Sequence, residues 1–296
     1  MSVKIAIIGA TGQIARSLAS HLPKSGHEIV VLARPELDLL QSESVIAAIR
    51  QASPTLIINP AAYTLVDKAE TEPELAAAIN IDGARAVAQA SEAIGARLIH
   101  FSTDYVYDGT KTTHYAESDR TVPLGVYGRT KLAGERAIQE SCASSVILRT
   151  SWVNSAHGSN FVKTMLRLAA ERPELKVVAD QFGAPSFADD IANAVNAMLP
   201  RLIGSSVTPE HFGVFHMTNA GETSWYGFAE AIMAGAAARG VASVPVHAIT
   251  TADYPTPARR PANSRLSNNK LREVYGISMP HWQEGLERCL DKLLSA

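Results

Sequence analysis

Tyr127 and Lys131, four residues apart, are the pair in this chain best suited by type and spacing to move a proton. On a helix, positions i and i+4 share a face, so the phenol and the ammonium can converge on one site. A phenol is a weak acid near neutrality, with an ordinary pKa of about 10. A cation roughly 5 Å away, at an effective dielectric near 20, stabilises the phenolate by about 3 kcal/mol, enough to bring proton exchange near cellular pH. Lys131 is therefore expected to lower the Tyr127 pKa and to make Tyr127 a general acid. Taken alone, the spacing is equally that of an ordinary exposed helix face, so the neighbouring polar segments decide the reading.

Two of these follow apolar runs. Ser102-Thr103-Asp104-Tyr105-Val106-Tyr107-Asp108-Gly109 and Asn59-Pro60-Ala61-Ala62-Tyr63-Thr64 each place polar groups where a buried strand would end. In an open parallel sheet, ligands bind beyond the carboxyl ends of the strands. The Thr103 hydroxyl is the candidate to polarise a carbonyl; Ser102, its neighbour on the strand, faces the other way. A third segment, Gly9-Ala10-Thr11-Gly12-Gln13-Ile14-Ala15, links the first strand to a helix. Glycines there let the backbone approach a pyrophosphate, and the helix N-terminus favours its charge. Gly9, Thr11, Gly12, Gln13 and Ile14 are thus candidate dinucleotide contacts, with Ala61, Ala62 and Tyr63 on the adjoining wall. The second strand ends in Arg34 instead of an acidic residue, which favours a 2′-phosphate and hence NADPH, with NADH as the alternative. Asp38, beside Leu39, either accepts from the adenine amine or caps the next helix.

These residues need a scaffold, and the hydrophobic pattern provides one. Strands are expected at 3–8, 28–33, 55–59, 97–102 and 146–150, alternating with helices at 13–22, 42–51, 74–94 and 127–140. Apolar strands alternating with amphipathic helices predict an α/β fold, a doubly wound, Rossmann-like parallel sheet. Residues 1–150 form its dinucleotide-binding part, completed in part by 177–220. Residues 151–296 are expected to form mainly a smaller, interleaved C-terminal lobe for the substrate, with helices at 161–171, 187–198 and 225–239 and a strand at 213–218. Segment 253–263, with Pro255, Pro257, Arg259, Arg260 and Pro261, is read as a loop that closes over something. Composition narrows the function classes. A net charge of −2 argues against nucleic acid or an anionic membrane as the main partner. Two isolated cysteines, Cys142 and Cys289, argue against a disulfide framework and for the cytoplasm. No His, Cys, Asp and Glu stand at metal-ligand spacing, so no metal is expected.

Together these motifs resemble the extended short-chain dehydrogenase/reductase superfamily, and within it the dTDP-4-dehydrorhamnose reductase family. The resemblance runs through Val66-Asp67-Lys68-Ala69-Glu70, Tyr127-Gly128-Arg129-Thr130-Lys131, Arg149-Thr150-Ser151-Trp152-Val153, Asp180-Gln181-Phe182-Gly183-Ala184-Pro185 and Arg260-Pro261, and covers essentially the whole chain. It implies Thr103, Tyr127 and Lys131 as the catalytic set. It implies Asp104, Tyr105 and Trp152 as substrate contacts; Arg260, in the loop read as closing over the site, is the candidate to contact the phosphates of the sugar nucleotide. Some members bind magnesium at a dimer interface through an acidic residue early in the first helix; Arg16 stands in that neighbourhood here, leaving a homodimer open. The activity implied is NAD(P)H-dependent reduction of the C4 ketone of a dTDP-linked 4-keto-6-deoxy sugar to dTDP-L-rhamnose. Reduction from the opposite face would give the 6-deoxytalose epimer. A non-catalytic role is the other rival, since a β subunit of methionine adenosyltransferase resembles the same family.

Overall fold

The computed structural model describes residues 2–294. Strands β1 (Lys4–Ile8), β2 (Glu28–Leu32), β3 (Leu56–Asn59), β4 (Arg97–Thr103), β5 (Ser145–Thr150) and β6 (Gly213–His216) form one sheet in the order β6-β5-β4-β3-β1-β2. All its pairings are parallel. Ile5 and Ile7 of β1 enter one hydrophobic cluster and Ala6 and Ile8 the other; β5 divides likewise, Val146 and Leu148 against Ile147. A strand apolar on both faces is stable only between two covering layers, which is why the sheet is sandwiched by helices.

The longer helices are α1 (Gln13–His21), α2 (Ser42–Ala52), α3 (Ala84–Ala93), α4 (Val126–Ser141), α5 (Phe161–Glu171), α6 (Ala188–Ile203), α7 (Trp225–Ala238), α8 (Asn269–Tyr275) and α9 (Trp282–Leu294). Helices α1, α6 and α8 contribute to the cluster on one face, and α2, α3 and α4 to the cluster on the other. From β1 the chain winds to β2 on one side and then to β3 on the other. The crevice beyond the carboxyl ends of β1 and β3 is therefore the topological switch point where such sheets bind ligands. A separate cluster joins α5, α7 and α9 to Leu175, Val177 and Phe187. After β5 the chain thus alternates between completing the sheet and building this second core.

One helix differs from expectation. The segment read as a single helix over 74–94 is Pro73–Ala77, a wider π-helical turn over Ala78–Gly83, and then α3. The wide turn points Asn80 inward. Its Oδ1 accepts from Tyr63 N–H at 2.9 Å, and its Nδ2 donates to the Tyr63 carbonyl at 3.2 Å and to Thr130 Oγ1 at 3.1 Å. One side chain thereby ties the loop after β3 to α4, a use typical of π-bulges near functional sites. Gly134 makes the approach sterically allowed, since a Cβ there would lie 2.0 Å from the Asn80 carbonyl oxygen.

Candidate active site

Thr103 ends β4, and the chain turns at once through Asp104–Val106. The Thr103 hydroxyl accepts from Tyr105 N–H at 3.2 Å and donates to Asp104 Oδ1 at 2.9 Å. Its proton is therefore engaged, and polarising a ligand carbonyl requires Thr103 to exchange Asp104 for that ligand. Helix α4 begins at Val126 with Gly125 as a cap that has no side chain to offer. Glu70 does the work from elsewhere, its Oε1 accepting from Val126 N–H at 2.8 Å. The carboxylate also complements the positive end of the helix. Gly128 lets α4 press on the turn after β4: a Cβ there would be 2.2 Å from the Tyr105 carbonyl oxygen. Tyr105 and Tyr127 meet edge to face with centroids 5.6 Å apart.

The electrostatics differ from the simple Tyr–Lys expectation. Tyr127 opens partly to the cleft, yet desolvation raises its pKa above the ordinary phenol value; the Thr103 hydroxyl opposes the rise and the Asp104 carboxyl adds to it. Lys131 Nζ donates to the Phe101 carbonyl at 2.7 Å and lies 3.1 Å from His100 Nε2, so its polar contacts are to β4. The expected lowering of Tyr127 by Lys131 is not seen in this arrangement, where burial raises the phenol and the amine makes its contacts to β4. Burial also brings Lys131 down to about 8 and Asp104 up to about 6.

These groups share one cleft of about 860 Å³. Gly9, Thr11, Gly12, Gln13, Ile14, Arg34, Asp38, Leu39, Ala61 and Ala62 line it together with Thr103, Asp104, Tyr105, Tyr127, Lys131 and Trp152. The glycine loop fits a dinucleotide. Gly9 has φ +95°, its N–H donates to the Leu32 carbonyl at 2.8 Å, and a Cβ on Gly12 would meet nothing within 4 Å. No acidic residue occupies the first turn of α1, so its positive end is available to a diphosphate. Arg34 is exposed just past β2. The other end of the cleft fits a hydroxylated ligand: Thr150 Oγ1 is buried there without a protein partner, and the Asp104 carboxyl, with Thr103 and Ser264 beside it, keeps acceptor capacity.

Comparison with known proteins shows the family. The family described as RmlD substrate binding domain matches residues 3–295. The dTDP-4-dehydrorhamnose reductase of Sinorhizobium fredii is 47% identical over 99% of this chain and 98% of that protein. The one from Escherichia coli K12 is 42% identical over 99% of each. The crystal structure of dTDP-4-dehydrorhamnose reductase from Bacillus anthracis in complex with NADP superposes with a TM-score of 0.91, covering 98% of this chain and 99% of that one at 37% identity. The chain belongs to this family.

Two residues expected at the site lie off the cleft wall. Tyr63 is buried, its hydroxyl donates to Glu72 Oε2 at 2.7 Å, and Asn80 holds its backbone N–H and carbonyl. Arg260 pairs with Asp67 Oδ2 at 2.9 Å. Asp67 also accepts from Ala258 N–H at 3.2 Å, which pins the 253–263 loop to the turn Val66–Ala69. Two others carry more structural duty than expected. Gln13 Oε1 accepts from Ser155 Oγ at 3.1 Å and Asn160 Nδ2 at 2.9 Å, while Asp38 Oδ1 accepts from Leu40 N–H at 3.0 Å within its own turn. Trp152 lines the cleft and stacks on Trp225 at 3.6 Å, with Gly183 packed so closely that a Cβ there would lie 2.7 Å from the indole Cε2. Its φ of +47° is strained for so large a residue, and its carbonyl is held by Ser186 N–H at 3.1 Å and Asn154 Nδ2 at 2.7 Å. Asn80 and His100 stand in none of the motifs read from the sequence, and Glu70 and Thr150 stand in such motifs without a role assigned to them. Among the described residues, no group of three or more His, Cys, Asp and Glu could hold a metal ion, and no helix is long and apolar enough to cross a membrane.

Proposed function

We propose that this protein is a cytoplasmic dTDP-4-dehydrorhamnose reductase that converts dTDP-6-deoxy-L-lyxo-4-hexulose to dTDP-L-rhamnose. The observation that carries the reading is the meeting of Thr103, Tyr127 and Lys131 with the glycine loop in one cleft, in a chain matched along its full length by reductases of that name. NADPH, when bound, supplies the hydride. Gly9, Thr11, Gly12 and Ile14 present backbone to its diphosphate, and Arg34 pairs with the 2′-phosphate. Tyr127 donates its proton to the oxygen of the reduced C4 carbon, a contribution of about 10²–10⁴-fold. Thr103 releases Asp104 to donate to the same oxygen before transfer. Asp104 Oδ2 and Thr150 Oγ1 then take hydroxyls of the sugar, and Trp152 covers its apolar face.

The test is to supply the keto-sugar with NADPH and NADH separately, follow cofactor oxidation, and identify the product by NMR. A dTDP-L-rhamnose product supports the reading. The talose epimer would replace the stereochemistry and keep the site. Absence of oxidation with cofactor bound would refute it.

A further inference from the structure

Gln13 opens α1 at the end of the glycine loop, and the function proposed above gives its side chain no task. Among the described residues, the hydrogen bonds of that side chain all run to the segment after β5, 140 to 147 residues away. Its Nε2 donates to the Val153 carbonyl at 3.3 Å. Its Oε1 accepts from Ser155 Oγ at 3.1 Å and from Asn160 Nδ2 at 2.9 Å. Gly158, with φ +67°, lets the same segment press on the methylene stem: a Cβ there would lie 3.2 Å from Gln13 Cγ.

The neighbours fix which way this amide points. Asn160 caps α5, its Oδ1 accepting from Lys163 N–H at 3.1 Å. A backbone amide only donates, so the Asn160 oxygen faces α5 and its NH₂ faces Gln13 and the Ser155 carbonyl, the latter at 2.7 Å. The Gln13 atom that meets this NH₂ must accept, so it is the oxygen. The Gln13 NH₂ is left to meet the Val153 carbonyl, which only accepts. Donors and acceptors agree along the whole row, and a flip of either amide would set like groups face to face.

The two ends of this bridge serve different ligands. On one side stand Gly12 and the first turn of α1, which suit a diphosphate. On the other is the chain that runs from Trp152 to α5. Val153 directly follows Trp152 and is the register partner of Ser186, whose N–H holds the Trp152 carbonyl. Helix α5 belongs to the second core, with α7 and α9. Gln13, Trp152, Val153 and Ser159 all line the same cleft.

We propose that Gln13 is a positioning residue whose side-chain amide ties the diphosphate loop to segment 152–160 and so sets the distance between cofactor and sugar. It acts through Val153 and Asn160. Loosening it misplaces the keto-sugar against the cofactor while the backbone that meets the diphosphate stays in place. Misplacement by 1 Å costs about 10²-fold in rate. This consequence rests on the reductase reading; the bridge itself does not.

Gln13→Ala removes the bridge and keeps the backbone. In reduction of the keto-sugar, kcat/KM for the sugar should fall about tenfold or more while the NADPH dissociation constant stays within about twofold. An equal loss of NADPH affinity would make Gln13 a cofactor ligand, and lower thermal stability with both constants unchanged would make it structural; either result overturns the proposal. Asn160→Ser tests the other end, because serine caps a helix about as well as asparagine and lacks the NH₂. It should lower kcat/KM similarly, and adding Gln13→Ala to it should change little more; additive losses would also overturn the proposal. If Gln13→Ala does not fold, Asn160→Ser decides by the same two constants. Amide hydrogen exchange reads the bridge with no ligand present: residues 155–163 should exchange about tenfold faster in Gln13→Ala, with β1 and β5 unchanged. Unchanged exchange in that segment would refute the bridge. The two readings fail differently. A wild-type protein without turnover whose variant shows the faster exchange loses only the reductase assignment. Equal turnover in wild type and variant removes only this inference.

Discussion

Lys131→Met should remove a specific pH dependence from the protein's stability. Burial lowers the Lys131 pKa from 10.5 to about 8. Because the folded-state value is depressed, the unfolded chain binds more protons between those two pH values, and stability rises with pH across the window. Below about pH 8 the native state carries the whole penalty, roughly 3 kcal/mol at about 1.4 kcal/mol per pH unit. Between pH 7.5 and pH 10 most of that is recovered, about 2 kcal/mol. Met has a flexible side chain that fills similar space and does not titrate. Its loss of the bond to the Phe101 carbonyl costs about 1 kcal/mol at every pH and drops out of the comparison. Urea unfolding of both proteins at pH 7.5 and pH 10 measures the difference directly. Wild type should gain about 2 kcal/mol on the variant over that interval. Parallel behaviour of the two proteins would show that the amine is not desolvated as the structure places it, and the reasoning about Lys131 would fall.

Four further outcomes are expected. Tyr127→Phe keeps the ring and removes the proton, so turnover should fall by about 10²–10⁴-fold while NADPH binding, followed by fluorescence, stays near wild type. Asp104 titrates near pH 6, so if its carboxylate accepts from the sugar, KM for the keto-sugar should worsen as pH falls through about 6; Asp104→Asn should flatten that limb of the profile. Arg34→Ala should raise KM for NADPH by about 10–100-fold and leave KM for NADH nearly unchanged, since only the charge-assisted bond to the 2′-phosphate is lost. Glu70→Ala removes the cap of α4 and should cost about 1–2 kcal/mol in thermal unfolding together with a fall in kcat, whereas Glu70→Gln should retain most of both.

The sheet was legible because its signal is local. Runs such as Ile5 to Ile8 and Leu56 to Ile58 are apolar at every position, and a strand buried on both faces has to be. The glycine loop, Thr103 and Tyr127 were legible for a related reason: they stand at the ends of such strands or on the helix that follows, so placing the strand places the residue. What escaped is non-local. The π-helical turn at Asn80 answers to the backbone of Tyr63 and to Thr130, 17 and 50 residues away. Glu70 caps a helix that begins 56 residues later. Arg260 reads as a free cation in a Pro-rich loop, and only the folded chain brings Asp67 to it from 193 residues away. Tyr63 follows an apolar strand like the other cofactor candidates, but in the fold its backbone is bonded by Asn80 and its hydroxyl by Glu72.

The same distinction bears on the chemistry. Spacing alone makes Lys131 the partner of Tyr127, and a charged lysine beside a phenol lowers its pKa. The folded site holds the opposite balance, with Tyr127 raised by burial and Lys131 turned to His100 and Phe101. A proton donor works best when its pKa lies near the operating pH, so a phenol held this tightly is a full but reluctant donor. A charged Lys131 roughly 5 Å from the phenolate, at an effective dielectric near 20, would stabilise it by about 3 kcal/mol as the proton leaves. A phenol that burial raises keeps its proton while the site is empty. Reduction needs that proton, because the phenol must still be protonated when the carbonyl becomes an alkoxide.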